Sequence, residues 1–98
     1  MIELRSDTFT IPSKNMLRFM INANVGDDVW EEDLCVNDFQ KKFSKIFSME
    51  SALFCASGTM SNQIAIKVHT QPGDEVRCDY NSHIYQYEAG GPSFNSGV

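Results

Sequence analysis

Between residues 51 and 62 the chain reads Ser-Ala-Leu-Phe-Cys-Ala-Ser-Gly-Thr-Met-Ser-Asn, and no other stretch limits the fold as strongly. The apolar run at 52–55 predicts a short strand, Ser57-Gly58-Thr59 a tight turn, and the pattern over 60–68 a helix. That order makes an anion site. First-turn N–H groups have no intrahelical partner, the helix dipole puts partial positive charge beside them, and a glycine lets an oxyanion approach the backbone. Ser57 and Thr59 add hydroxyl donors. The same tripeptide is also ordinary turn and capping chemistry. It has neither the glycine spacing and lysine of a nucleotide P-loop nor a GxGxxG pattern. A phosphate or carboxylate site and a plain capped turn both remain open on these residues.

Downstream, Gln71-Pro72-Gly73-Asp74 has Pro and Gly at the two middle positions of a type II turn, and 75–80 reads as a second strand with Val76 and Cys78 on one face. Strand, helix, turn and strand form a βαβ unit with a right-handed crossover, hence an α/β fold. In such sheets ligands gather at the carboxyl ends of the strands. Ser57-Gly58-Thr59 and Ser82-His83 both follow such ends, which predicts His83 on the same sheet edge as the anion turn. A lone histidine is often an incidental polar residue; one at a strand end beside an anion turn is also a candidate for proton transfer. His69, near the end of the preceding helix, is accounted for by the helix dipole. Residues 83–89 run into Gly90-Gly91-Pro92, a helix stop.

Upstream, residues 2–11 are too polar for a buried strand and too β-branched for a helix, so they read as an extended arm. Pro12 is expected to open a helix as its first residue, with Met16, Phe19, Met20 and Ala23 on one face and Asn24 or Gly26 at its end. Residues 24–33 form an acidic, irregular run that reads as a solvated loop and lacks the ligand spacing of an EF-hand. From 33 or 34 to 48, Val36, Phe39, Phe43, Ile46 and Phe47 recur at steps of three and four. Lys41, Lys42 and Lys45 occupy the rest of that helix.

A chain of 98 residues allows one small domain. Its net charge of -5, with only 8 Lys and Arg scattered along it, argues against nucleic acid as a partner. It has no apolar run of membrane-spanning length, and Met1-Ile2-Glu3-Leu4-Arg5 is not the start of a signal peptide, so a cytoplasmic location is expected. Cys35, Cys55 and Cys78 are odd in number and lack CxxC spacing, which speaks against zinc or any other metal, a disulfide framework and a redox dithiol. They are expected to be reduced and mostly buried. Asn95-Ser96-Gly97-Val98 reads as part of a glycine-rich passage with no closing element, as in a piece of something longer.

Leu4-Arg5-Ser6-Asp7-Thr8, Val25-Gly26-Asp27-Asp28-Val29, Glu32-Asp33, Val36-Asn37, Ser57-Gly58-Thr59-Met60, Asn62-Gln63, Pro72-Gly73-Asp74-Glu75, His83-Ile84-Tyr85 and Tyr87-Glu88-Ala89-Gly90-Gly91-Pro92 stand in one order and spacing. In that order the chain resembles the amino-terminal part of the threonine aldolase family, pyridoxal-phosphate enzymes. The resemblance implies a three-layer α/β fold of the aspartate-aminotransferase type, fold type I, with residues 1–98 as the arm and the start of the cofactor-binding large domain. It also implies that Ser57, Gly58 and Thr59 hold the cofactor phosphate. His83 would stack on the pyridine ring and assist proton transfer at the substrate's β-hydroxyl, and Ser6 would help hold the substrate carboxylate. Tyr87 and Trp30 would line the site, the Trp30 segment reaching across a subunit interface of a dimer or tetramer.

The reaction implied is retro-aldol cleavage of L-threonine and L-allo-threonine to glycine and an aldehyde, the cofactor taking up the electrons. A related pyridoxal-phosphate lyase that eliminates at Cβ, and a truncated chain without catalysis, are the alternative readings. In the family the cofactor-bearing lysine, the aspartate facing the pyridine nitrogen and the arginines for the substrate carboxylate lie beyond residue 98. None of Lys14, Lys41, Lys42, Lys45 and Lys67 is in the context of that lysine. The two strands would not be sheet neighbours in the family fold, leaving unpaired edges and an uncovered apolar face. Where this chain has Trp30, Glu31, Leu34 and Cys35, the family usually has Tyr, Gly, Pro and Thr. Glu31 is expected to be strained if its position needs a positive φ.

Overall fold

The computed structural model describes residues 2–98 and divides them into two compact units, one running to Phe54 and the other spanning Cys55–Val98. Met1, just ahead of the arm expected at 2–11, lies outside the described residues.

The first unit is organised by caps. Helix α1 (Lys14–Ile21) begins after Ser13, whose Oγ accepts the Met16 N–H at 3.2 Å. Pro12 therefore lies outside the helix and does not open it, because the serine hydroxyl already satisfies a first-turn donor. Helix α2 (Leu34–Ile46) begins after Asp33, whose Oδ1 accepts the Val36 N–H at 3.0 Å. It stops at Phe47, with Ser48 turned left-handed at φ 52°, short of the end expected at 48. The expected extended arm is interrupted by a 3-10 turn, Asp7–Phe9, capped by the Ser6 hydroxyl. The acidic loop also has order: a 3-10 turn, Asp28–Trp30, is capped by Asp27, whose Oδ1 accepts the Val29 N–H at 2.9 Å.

Three backbone features lock that loop onto α2. Glu31 sits at φ 58°, the left-handed region in which a side chain is strained, and its carbonyl accepts the Asn37 amide at 2.7 Å. Gly26 passes so close to the Glu32–Asp33 backbone that an added Cβ would collide with the Glu32 carbonyl and stand 2.7 Å from the Asp33 nitrogen. The Asp33 carboxylate accepts the N–H groups of Val36 and Gly26, which hold its pKa below the usual value. On the other side of α2, Phe39 stacks on Phe43 with ring centroids 4.4 Å apart and meets the edge of Phe54 at 5.8 Å. The Gln40 side chain accepts the Phe54 N–H at 2.8 Å.

The second unit contains α3 (Gly58–His69), α4 (His83–Gln86) and α5 (Gly91–Ser96), with α5 packed on α3. The turn at 71–74 forms as expected: Gly73 lies at φ 94° and the Asp74 N–H bonds the Gln71 carbonyl at 3.0 Å. Gly90-Gly91-Pro92 does more than stop a helix. Gly90, left-handed at φ 74°, is the cap of α5, and Pro92 sits in its first turn. A closing helix thus replaces the irregular tail expected from the sequence.

The largest difference from expectation concerns strands. Neither 52–55 nor 75–80 is in a strand, and no βαβ unit exists among the described residues. A strand is defined by its neighbour, and neither segment finds one here. The second difference is burial. No apolar residue among those described is buried, and Cys35 and Cys78 are exposed, with Cys55 intermediate, where buried thiols were expected. Helices of this length gain their stability from covering apolar faces, and these faces stay open.

Glu31→Gly and Leu34→Pro are each expected to stabilise the first unit by about 0.4–1 kcal/mol: the first relieves the left-handed strain, and the second fits the first position of α2. Asp33, at φ -76° and ψ 100°, already has the extended backbone that precedes a proline. Native-state hydrogen exchange at residues 29–37 is the check, and exchange that is unchanged or faster in both variants would contradict the strain argument. A second expectation concerns acid. Because the folded pKa of Asp33 is lowered, its contribution is complete above the ordinary carboxylate range and is lost as pH falls through the lowered value. Chemical shifts in the first turn of α2 should report fraying in acid that is absent in Asp33→Asn, which caps without titrating.

Candidate functional site

At the start of α3, Ser57 has an extended backbone, φ -149° and ψ 155°, and its Oγ accepts the Met60 N–H at 3.1 Å. Its carbonyl accepts the Ser61 N–H at 3.2 Å. The capping role is therefore real, and it leaves the hydroxyl proton free to donate outward. The N–H groups of Gly58 and Thr59 bond to no protein group among the described residues. A Cβ built on Gly58 would meet nothing within 4 Å, so packing within the chain does not require a glycine there. What a side chain would do is cover the backbone of the first turn. The turn at Ser57, Gly58 and Thr59 is thus a capped helix start that still leaves two backbone donors unpartnered among the described residues.

Asn62 follows Gly58 by about one helical turn. Its Nδ2 donates to Glu88 Oε1 at 2.8 Å, and Gln63 Nε2 donates to Glu88 Oε2 at 2.5 Å. His83 Nδ1 lies 2.9 Å from Glu88 Oε1. The Glu88 side chain is 0% exposed while that of His83 is 61% exposed, so the carboxylate is sealed and the imidazole opens outward. These bonds, Asn62 first and His83 next, hold the Glu88 pKa below the usual value against the opposing effect of burial. Gln63 is in turn held by Asn95, whose Nδ2 donates to Gln63 Oε1 at 3.1 Å.

The helix that begins at Ser57-Gly58-Thr59 and His83 are therefore linked, though not along the edge of a parallel strand pair. The link is a side-chain relay from α3 through Glu88. Sequence reasoning missed its centre. Glu88, Asn62 and Gln63 counted only as motif residues, and Asn95 as part of the tail; a lone glutamate reads as solvated until its donors are known. The Tyr87 ring lies 5.4 Å from that of His83 at 44° and is 73% exposed. Ser6 and Trp30 belong to the first unit. The Ser6 Oγ caps its local turn, accepting the Thr8 N–H at 3.3 Å, and Trp30 ends the 3-10 turn 74% exposed. No cluster of three or more His, Cys, Asp or Glu among the described residues is arranged to hold a metal ion. No described helix is long and apolar enough to cross a membrane.

The family model described as beta-eliminating lyase matches residues 3–98. The chain belongs to this family. Within it, the chain is 43% identical over 90 residues to the low-specificity L-threonine aldolase of Eremothecium gossypii, covering 91% of this chain and 24% of that protein. It is 43% identical over 90 residues to the low specificity L-threonine aldolase of Saccharomyces cerevisiae, covering 91% of this chain and 23% of that one. It is 43% identical over 91 residues to that of Escherichia coli strain K12, covering 93% of this chain and 27% of that one. The chain spans about a quarter of the length of the curated relatives it matches.

The relay makes one demand on this family member's backbone. A Cβ on Gly91 would stand 2.7 Å from Gln63 Nε2 and 2.9 Å from its Oε1. Gln63 cannot swing aside freely, because Glu88 and Asn95 hold both ends of its amide. Gly91→Ala is thus expected to break the Gln63–Glu88 bond and speed amide exchange in α5 roughly tenfold, the scale of one lost bond to a charged group. Unchanged protection in α5 would show that the relay yields without cost.

Proposed function

We propose that this chain supplies the amino-terminal part of a pyridoxal-phosphate-dependent aldehyde-lyase of fold type I. It would cleave L-threonine and L-allo-threonine to glycine and an aldehyde, in the cytoplasm and as a homo-oligomer. The observation that carries the reading is the pairing of an open helix N-terminus at Ser57-Gly58-Thr59 with an outward-facing His83 on the same relay.

The residues fit the cofactor. Its phosphate would take the unpartnered N–H groups of Gly58 and Thr59 together with the hydroxyl protons of Ser57 and Thr59, where the dipole of α3 favours negative charge. The open space at Gly58 leaves room for that approach. When bound, the cofactor supplies the electron sink for breaking the Cα–Cβ bond. The chain's own residues do the rest. By the resemblance, the His83 ring would offer a face to the pyridine and a nitrogen to the β-hydroxyl proton, Ser6 would help hold the substrate carboxylate, and Tyr87 and, across a subunit interface, Trp30 would line the site. Trp30 keeps an aromatic face without the phenolic hydroxyl usual in the family. The five lysines lie on α1, α2 and the last turn of α3, and by the resemblance none of them is the cofactor-bearing lysine.

Elimination at Cβ is the second reading, favoured by the family's description and by a site that holds a cofactor without choosing which bond breaks. A chimera with residues 3–98 in place of the matching segment of the Escherichia coli relative separates the two. It is expected to bind pyridoxal phosphate and release glycine and acetaldehyde from L-threonine; ammonia and a 2-oxo acid would select elimination. His83→Ala in the chimera should lower cleavage about 10²–10⁴-fold with cofactor retained, the usual worth of a positioned acid–base group. Undiminished turnover would remove His83 from the chemistry.

A further inference from the structure

Glu88 is built to accept. Its two oxygens accept the amides of Asn62 and Gln63, and Oε1 also faces His83 Nδ1, the one neighbour that could either give it a proton or take one. A protonated carboxyl could aim its O–H only at His83 Nδ1, and the amides of Asn62 and Gln63, which hold the Glu88 pKa below its usual value, keep the group a carboxylate; a carboxamide would turn a donor toward one of those amides. Gln63 cannot reverse its amide to compensate, because its own oxygen accepts the Asn95 amide. The backbone is set for this as well. Ala89, at φ 51°, and Gly90, at φ 74°, are consecutive left-handed residues that reverse the chain directly after Glu88, and strain of that kind at a non-glycine persists where the surroundings over-determine it. The Gly91 N–H closes the turn on the Glu88 carbonyl at 2.8 Å.

A carboxylate that only accepts dictates which imidazole nitrogen carries hydrogen. The nitrogen facing Glu88 is Nδ1, so in neutral His83 the proton sits there and Nε2 holds the lone pair. Nε2 bonds to no group among the described residues, and the side chain is 61% exposed. We propose that Glu88 is a positioning residue that locks neutral His83 in the Nδ1–H tautomer and presents a bare Nε2 to the site. What that nitrogen does rests on the proposed function: Nε2 takes the β-hydroxyl proton, the imidazolium keeps its Nδ1–H on the Glu88 carboxylate, and the O–H electron pair closes the aldehyde as the Cα–Cβ bond breaks. Glu88 touches neither substrate nor cofactor. It acts through His83, and Asn62, Gln63 and Asn95 act through Glu88.

The test uses the same chimera, labelled with ¹⁵N-histidine and read by magic-angle-spinning NMR, with His83 assigned by its loss in His83→Gln. Without cofactor and at a pH where His83 is neutral, the expected spectrum shows Nδ1 protonated and Nε2 bare. Glu88→Ala should shift the population toward Nε2–H and lower kcat about 10–100-fold with KM and cofactor binding little changed, short of the loss expected on removing the base itself. Glu88→Gln keeps one carbonyl oxygen for the Nδ1–H, so it should restore the tautomer and part of kcat. A parent spectrum with the proton on Nε2 would overturn the proposal, as would Glu88→Ala or Glu88→Gln variants whose tautomer contradicts this order. Should Glu88→Ala fail to fold, the parent and Glu88→Gln spectra still decide. A chimera that shows the Nδ1–H pattern without cleaving threonine supports this inference and overturns the proposed function instead.

Discussion

A carboxylate with no exposed surface is unstable unless every oxygen is met by a donor, and that requirement shapes the second unit. Glu88 and Ser96 are the buried residues among those described, and Glu88 alone of the two is charged. Meeting its demand calls on Asn62 and Gln63 from α3, His83 from α4 and, at one remove, Asn95 from α5. Where an ordinary domain is held by apolar contacts, this unit has a polar centre. Such a centre is specific in a way that packing is not, because a half-satisfied network is worse than none.

The first unit solves a different problem by similar means. A run of acidic residues on a short loop should repel itself into solvent, yet Asp27 and Asp33 each cap a turn or helix. Two of these carboxylates thus sit where helix dipoles favour negative charge. The cost lies at Glu31, a left-handed residue with a side chain, where a glycine, with a proline at Leu34, is what that backbone would ask for.

Local features were legible in the sequence and pairwise ones were not. The helical steps of Val36, Phe39, Phe43 and Ile46 placed α2, and Ser57 announced a cap, since a cap needs only the next three residues. The strands at 52–55 and 75–80 failed because β-propensity states a readiness to pair, and pairing depends on distant partners. His83 was singled out because it followed the expected strand at 75–80, which does not form, whereas Glu88 was not, because its role exists only once Asn62 and Gln63 have been brought to it. Exposure followed the same rule: periodicity tells which face is apolar, never what covers it. Ile2, Leu4 and Phe94 remain about nine-tenths exposed.

The reach of the Glu88 network bears on the order of assembly. Its most distant direct partner, Asn62, is 26 residues away, and His83 only 5. Short loops cost little entropy to close and close early, so this socket can form while a chain is still being synthesised. An imidazole oriented that soon would bring to the proposed site a histidine that no longer has to search for its proton.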